Sequence, residues 1–236
     1  MPIKTLGAAE GETLAAVAYK RLRTDIIEGK RPPGERLRIE KLKSIYNIGP
    51  TPLREAMQKL AQEGLVFSEG NRGFTVAPLN LSEFQDLNLA RTVVEQGALK
   101  LSIENGDTTW EARVVAAAYI MSKEDVALAA AGDTLPQSWE LANTEFHTAL
   151  VSACGSDWLL KIRTNLHDLC ERYRRASVYQ KAGARDLRAE HAAIADATLA
   201  RDIDRACALI ADHFARTASA LSSESEITAP EDRHRA

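Results

Sequence analysis

Three histidines stand in apolar, helix-compatible surroundings: His147 in WELANTEFHTAL, His191 in RAEHAAIADAT and His213 in LIADHFART. Imidazole nitrogens from three separate helices can converge on a divalent transition metal and leave positions open for water or a ligand. Asn143 lies four residues before His147, and positions i and i+4 share one helix face. Scattered histidines are also, and more often, hydrogen-bonded core or surface residues, so spacing alone leaves both readings open. His167 and His234 fit no such grouping. Arg91, in DLNLARTVVEQGAL, sits among Leu87, Leu89, Val94 and Leu99. A guanidinium beside an apolar face can grip a carboxylate through two parallel N–H bonds. It can equally pair with Glu95 on the next turn. Arg172 and Tyr173, in LCERYRR, could face the same pocket, and the run 172–175 otherwise reads as a solvated helix face.

A different chemistry is written near the other end, in GPTPLREAM at positions 49–57. Thr51 can cap a helix and offer its hydroxyl to a phosphate or a base. Pro52 suits the first helical turn, where its missing N–H costs nothing. Free N–H groups and the helix dipole at that end favour a phosphate. Arg54 lies one turn in and is long enough to reach a base edge, whereas Lys59 is placed for phosphate or solvent. Asn71, Arg72 and Gly73 form a small tip with one arginine, which suits the minor groove. Arg36, Arg38, Lys41 and Lys43 form a basic cluster fit for phosphate contacts, which position a protein without specifying sequence.

The elements that must position these groups follow from periodicity and punctuation. Residues 1–11 are Gly- and Ala-rich and read as frayed. A helix over 12–28 has Leu14, Val17, Leu22, Ile26 and Ile27 at helical spacing and Thr13 as its cap. Pro32-Pro33-Gly34 turns the chain. A short helix over 39–46 turns Leu42 and Ile45 inward. A second, over 51–63, has the apolar face Leu53, Ala56, Met57, Leu60 and Ala61, and Gly64 closes it. Leu65–Phe67 and Phe74–Val76 read as a hairpin around 68–73. Helix, helix, turn, helix, hairpin is a winged helix-turn-helix. Beyond it strand signals vanish. Helices are expected over 82–105, 108–131, 135–154, 156–181, 184–200 and 202–221, an all-α bundle. The expected fold is therefore mainly α: a winged helix-turn-helix over 12–77, a linker at 78–81, a helical domain over 82–222 and a disordered tail over 223–236.

Composition is consistent with this. Of 236 residues, 45% are hydrophobic and 27% charged, an ordinary globular balance. No apolar run approaches the ~20 residues that span a bilayer, and the N-terminus has no apolar signal core, so a cytoplasmic protein with no membrane partner is expected. Cys154, Cys170 and Cys207 lack metal-binding spacing and read as small hydrophobes in a reducing compartment. Residues 1–80 hold 13 Lys and Arg against 9 Asp and Glu, a net +4, and the remainder carries −7. Only the first part is electrostatically suited to a polyanion.

Residues 14–77 resemble the GntR family of bacterial transcription regulators. The resemblance rests on Pro33-Gly34-Glu35-Arg36-Leu37, Thr51-Pro52-Leu53-Arg54-Glu55-Ala56, Leu60, Glu63-Gly64-Leu65-Val66 and Arg72-Gly73-Phe74-x-Val76. It assigns Thr51, Arg54 and the Arg72-Gly73 wing to DNA. It also exposes a departure: Pro50 stands where the family usually has an arginine, so one base-reading side chain is missing. Residues 82–221 resemble the FCD effector domain of the FadR subfamily, a bundle of six or seven helices. The spacings of 4, 44 and 22 residues along Asn143, His147, His191 and His213 match its Asp-His-His-His metal set, with Asn143 in place of the aspartate. The resemblance implies a bound Zn²⁺ or Ni²⁺ and an effector-gripping arginine at Arg91. It further implies a homodimer on a palindromic operator, released as a repressor by a small organic acid. A metal-dependent hydrolase is the contrary reading, but there is no HExxH and no Ser-His-Asp pattern, and Glu145 is two residues from His147 and faces elsewhere. A ligand-free architectural DNA-binding protein would not need the ~140 further residues.

Overall fold

The computed structural model describes residues 12–68, 73–131, 135–181 and 186–222, with the side chains of 176–181 and 220–222 excepted. The expected fraying of 1–11, the tail over 223–236 and the wing residues Asn71 and Arg72 lie outside the described residues. Two compact units divide between Leu79 and Asn80.

In the first unit, α1 (Leu14–Ile27) starts at Thr13, whose Oγ1 accepts from the Ala16 N–H at 3.2 Å. It buries Val17, Ala18, Leu22, Ile26 and Ile27, but Leu14, expected inward, is 52% exposed in the first turn. Next, β1 (Arg36–Leu37) leads to α2 (Ile39–Tyr46). There Leu42 and Tyr46 point inward rather than Ile45, because Tyr46 reaches back to donate its hydroxyl to Asp25 on α1. Asn47, with φ 54°, makes the turn into α3 (Pro50–Gln62). That helix buries Leu53, Ala56, Met57 and Leu60 against α1, while Ala61 is only partly covered. Gly64, at φ 76°, ends the α3 segment in the left-handed region that glycine enters without strain. β2 (Val66–Ser68) and β3 (Phe74–Val76) form the expected hairpin, and β1 adds to its far edge, giving the antiparallel order β1-β3-β2. The two-residue β1 pairs Arg36 with Thr75 and Leu37 with Phe74 and is too short to carry an alternating pattern of its own.

The second unit is helical throughout its described residues: α4 (Leu81–Asn105), α5 (Thr108–Ala130), α6 (Gln137–Val151), α7 (Asp157–Lys181), α8 (Leu187–Leu199) and α9 (Ile203–Ser222). Asn80, Asp107 and Asp186 cap the starts of α4, α5 and α8 by accepting first-turn N–H bonds, as N-cap side chains do. α4 packs against α7 and α9, and α5 against α6 and α8. Between them lies a core of Leu99, Val114, Met121, Trp139, Phe146, Leu150, Ile194, Ile210 and Phe214. No described helix is long and apolar enough to cross a membrane. The three cysteines are unbridged, with Cys154 and Cys170 buried.

Candidate nucleic-acid interface and metal centre

On α3 the buried residues Leu53, Ala56, Met57 and Leu60 leave Thr51, Arg54, Glu55 and Gln58 exposed. Their spacing of three, one and three places them on a single stripe. Thr51 is not the cap. The N-cap is Gly49, which makes no side-chain bond, and Thr51 lies in the first turn. Because Pro50 and Pro52 have no N–H, Thr51 alone among the first three helical residues carries a donor, so the expected row of free amides shrinks to one. Arg36, Arg38, Lys41 and Lys43 are all exposed. Lys41 leans towards Glu35 at 3.9 Å. Gly73 enters β3 with φ 100°. Lys59 is exposed, as expected, with its ammonium 3.9 Å from the centre of the Tyr19 ring. Gln58 was missed by motif reading, although its spacing from Thr51 and Arg54 is the signal that reveals it.

In the second unit α6 presents Asn143 and His147, α8 presents His191 and α9 presents His213, all buried. A ligand nitrogen from each histidine lies within 4.8 Å of the others. Ring centroids are 5.2 Å apart for His147 and His213, 4.9 Å for His191 and His213, and 6.0 Å for His147 and His191. Phe146 and Phe214 wall the cluster. Two carboxylates that no motif announced orient the rings. Asp125 on α5 meets His191 Nδ1 at 2.7 Å with one oxygen and accepts Trp139 Nε1–H at 2.9 Å with the other. Glu190 meets His213 Nδ1 at 2.9 Å. Carboxylates on the outer nitrogen of a histidine are how metal sites set ring orientation and basicity.

The donors fit a divalent transition ion. His191 Nε2 and His147 Nδ1 are buried without a hydrogen-bond partner, a costly pair to leave together in one core, and the Asn143 amide nitrogen, one turn before His147, is likewise unsatisfied. His147 is held well below its ordinary pKa, first by burial and then by His213, Arg91, His191 and Arg163. It is therefore neutral, as a metal ligand must be.

Arg91 is buried on α4 with its guanidinium centred 4.0 Å from the Phe214 ring, and Phe214 also touches His147 and His213. Its expected structural partner is largely taken. Glu95 receives two bonds from Arg163, at 2.6 and 3.1 Å, and stands 4.0 Å from Arg91. Arg91 Nε has no partner, and burial pushes its guanidinium below its ordinary pKa. His167, which fitted no grouping, stands 3.4 Å from Arg91 Nη2. Arg174 bonds Glu140 at 2.5 Å, so Arg163 and Arg174 each bond a buried carboxylate directly, while Arg91 reaches one only at 4.0 Å.

Arg172 and Tyr173 do not join this cluster. Tyr173 donates to Glu83 at 3.0 Å, accepts from the Asn80 N–H and stacks on Phe84, two turns along α4 from Arg91. Arg172 is buried with Tyr173 and Glu83 as its charged surroundings. Nor is 172–174 a solvated face, since all three side chains are less than a tenth exposed.

Residues 14–76 match the model of the bacterial regulatory proteins of the gntR family, and residues 86–216 match that of the FCD domain. The uncharacterized HTH-type transcriptional regulator BphR of Paraburkholderia xenovorans is 38% identical over 90% of this chain and 87% of its own. The HTH-type transcriptional repressor GlaR of Escherichia coli is 38% identical over 83% of this chain and 90% of its own. The fold is shared with E. coli McbR/YncC (TM-score 0.73, 18% identity, 90% of this chain and 98% of that one). It is shared also with a GntR regulator from Rhodococcus (TM-score 0.71, 22% identity, 89% and 98%). A winged helix-turn-helix matched over residues 14–76 by the one model, and a helical domain matched over residues 86–216 by the other, make this chain a DNA-binding transcription regulator of the GntR family with an FCD domain, and not an enzyme.

Proposed function

We propose that this regulator is a repressor whose operator affinity is controlled by a small organic acid held in a metal-containing pocket of the FCD domain. The observation that carries the reading is the pair of buried, partnerless ring nitrogens at His147 and His191, clustered with His213, beside the underpaired cation Arg91. His147, His191 and His213 would hold Zn²⁺ or Ni²⁺, with the Asn143 amide oxygen as a weaker fourth ligand than a carboxylate. When bound, the ion supplies a Lewis-acidic anchor for one carboxylate of the ligand. Asp125 and Glu190 keep two of the rings aimed, and Arg91 grips the far carboxylate, which makes a dicarboxylate or hydroxy acid the natural occupant. An anion there also compensates the buried charge of Arg91. As a homodimer on a palindrome, the protein would read each half-site with Thr51, Arg54 and Gln58, with phosphates held by Arg36, Arg38, Lys41 and Lys43 and the Arg72-Gly73 wing in the minor groove. The repressor sign is supported by the name of the E. coli relative.

The test has two parts. Metal content of the purified full-length chain and of His191→Ala should differ by about one equivalent per chain, which follows from three-histidine coordination. Binding to DNA flanking its own gene should weaken on adding a panel of small dicarboxylic and hydroxy acids. If no acid alters operator affinity and the metal content is nil, the reading is wrong.

A further inference from the structure

Along one face of α6 stand Glu140, Asn143 and His147, spaced by three and four residues and all buried. Residues so spaced are neighbours on a helix surface. His147 belongs to the histidine cluster, but Glu140 and Asn143 pose a separate problem. Arg174 donates to Glu140 Oε2 at 2.5 Å. Glu140 Oε1 is left as a buried acceptor with no hydrogen-bond partner among the described residues. One turn on, the Asn143 amide nitrogen is a buried donor with none, so the two groups do not satisfy each other. Leaving either unmet costs stability. Helical side chains lean towards the N-terminus, which carries the Asn143 amide over the turn that holds Glu140. An acceptor and a donor thus face one gap. Arg91 stands at the same level: His167 is 3.4 Å from its Nη2 and 3.4 Å from the Oγ1 of Thr144, the residue after Asn143.

One chemical group meets both demands. A hydroxyl accepts from an amide N–H and donates to a carboxylate oxygen. A carboxylate in the gap would set oxygen against oxygen at Glu140. An ammonium has no lone pair for Asn143 and would stand among the cations Arg91 and Arg174. We propose that Glu140 and Asn143 are a hydroxyl-reading pair, which makes the preferred ligand a polyhydroxy acid of the sugar-acid type rather than a plain dicarboxylate. The inference rests on the pocket of metal and Arg91 and narrows its occupant: those two take the charged ends, and the pair reads a hydroxyl on the carbon chain. It also gives Asn143 a reason. The aspartate that the family resemblance implies there is the stronger metal ligand but offers no N–H. An asparagine with its oxygen on the metal keeps its N–H₂ for the ligand.

Adipate and galactarate share one carbon skeleton and both carboxylates and differ only in the hydroxyls; succinate and tartrate are the shorter such pair. Calorimetric titration of the full-length protein with Zn²⁺ present should find the hydroxylated member of a pair at least about tenfold tighter, as when a buried donor and acceptor are met rather than left open. Hydroxyls beside a carboxylate also suit the metal, so the variants decide. Asn143→Asp keeps the side chain's size and replaces a donor by an acceptor. It should raise Zn²⁺ affinity while cutting the preference for the hydroxylated acid to about twofold or less, opposite signs that a merely structural change does not produce. Glu140→Gln, its amide oxygen kept on Arg174, turns N–H₂ to the hydroxyl and should cut the preference with Zn²⁺ affinity unchanged. Should the loosened Arg174 prevent that variant from melting cooperatively, Asn143→Asp carries the test. A wild type that binds both members of each pair alike overturns the hydroxyl pair and leaves the pocket of metal and Arg91 standing, with water in the gap. A preference that Asn143→Asp leaves unchanged belongs to the metal and overturns the pair as well. Silence from both pairs removes the hydroxyl pair, and silence from the whole panel of acids removes the ligand reading with it.

Discussion

Arg91 illustrates how a single residue can be costly and kept. Its Nε lacks a partner, its nearest carboxylate is engaged by Arg163, and it lies in the core against Phe214. Glu95 keeps both of its bonds from Arg163 when Arg91 is replaced, so the loss of the 4.0 Å Arg91 contact leaves no buried carboxylate uncompensated. Arg91→Gln should therefore melt no lower than the parent without ligand, keep its metal, bind the operator normally, and lose at least about tenfold in response to the acid. A melting point well below the parent would instead make Arg91 structural. On α3, Arg54→Ala should cost about 1–3 kcal/mol at the operator and relax sequence preference at one position per half-site. Lys43→Ala should weaken all DNA alike and reduce the salt slope by about one per contact. Equal losses for Arg54→Ala on specific and random DNA, measured by anisotropy titration, remove its reading role. With Pro50 at the position where the family resemblance implies an arginine, and Pro52 denying another N–H, the proposed reading falls on Arg54, Thr51 and Gln58.

At the scale of elements, the proposed metal centre depends on three helices being tied together by one carboxylate. Asp125 on α5 holds Trp139 of α6 and His191 of α8. Asp125→Asn keeps an acceptor for Trp139 but no longer fixes the His191 ring as an anion does. Metal affinity should fall about 10–100-fold, read by competition with a chromophoric chelator, with little change in helix content. This tie also marks where sequence reading stops. The helix spans were legible because burial repeats every three to four residues, and the grouping of His147, His191 and His213 was legible through the family resemblance, since their spacing alone left a metal and a core role both open. Asp125 was not: it is 66 residues from His191, and an acid in the middle of an Ala-rich helix looks like a solvated one. Tyr173 misled for the matching reason. Its helix and apolar neighbours are right for the pocket, but its hydroxyl goes to Glu83 and the Asn80 amide, which only the pairing of α4 with α7 decides. β1 was invisible because two residues cannot show a period.

For the whole molecule the histidine cluster links folding to protons and to metal. His147 is held neutral in the folded chain, its pKa depressed first by burial, while in the unfolded chain it titrates near its ordinary value of about 6.5. As pH falls through that value the unfolded chain takes up a proton that the folded chain refuses. Metal-free protein therefore loses stability on acidification below about pH 6.5, by up to ~1.4 kcal/mol per pH unit for this one group, and loses nothing on that account above it. Bound metal stabilises the folded state further, by about 4 kcal/mol when free metal is a thousandfold above its dissociation constant. That gain also shrinks on acidification, since protons compete for the same nitrogens. The molecule carries its own reporter for the experiment: Trp110, Trp139 and Trp158 all lie in the second unit, so tryptophan fluorescence follows the FCD domain and not the DNA-binding one. Thermal melts at pH 8.0, 7.0, 6.0 and 5.5, with chelator and with excess Zn²⁺, should show a metal-dependent rise in the fluorescence transition that is largest at pH 8 and smallest at pH 5.5. His191→Ala should abolish the rise. A rise that is independent of pH, or that survives in His191→Ala, would place the metal somewhere other than on these imidazoles.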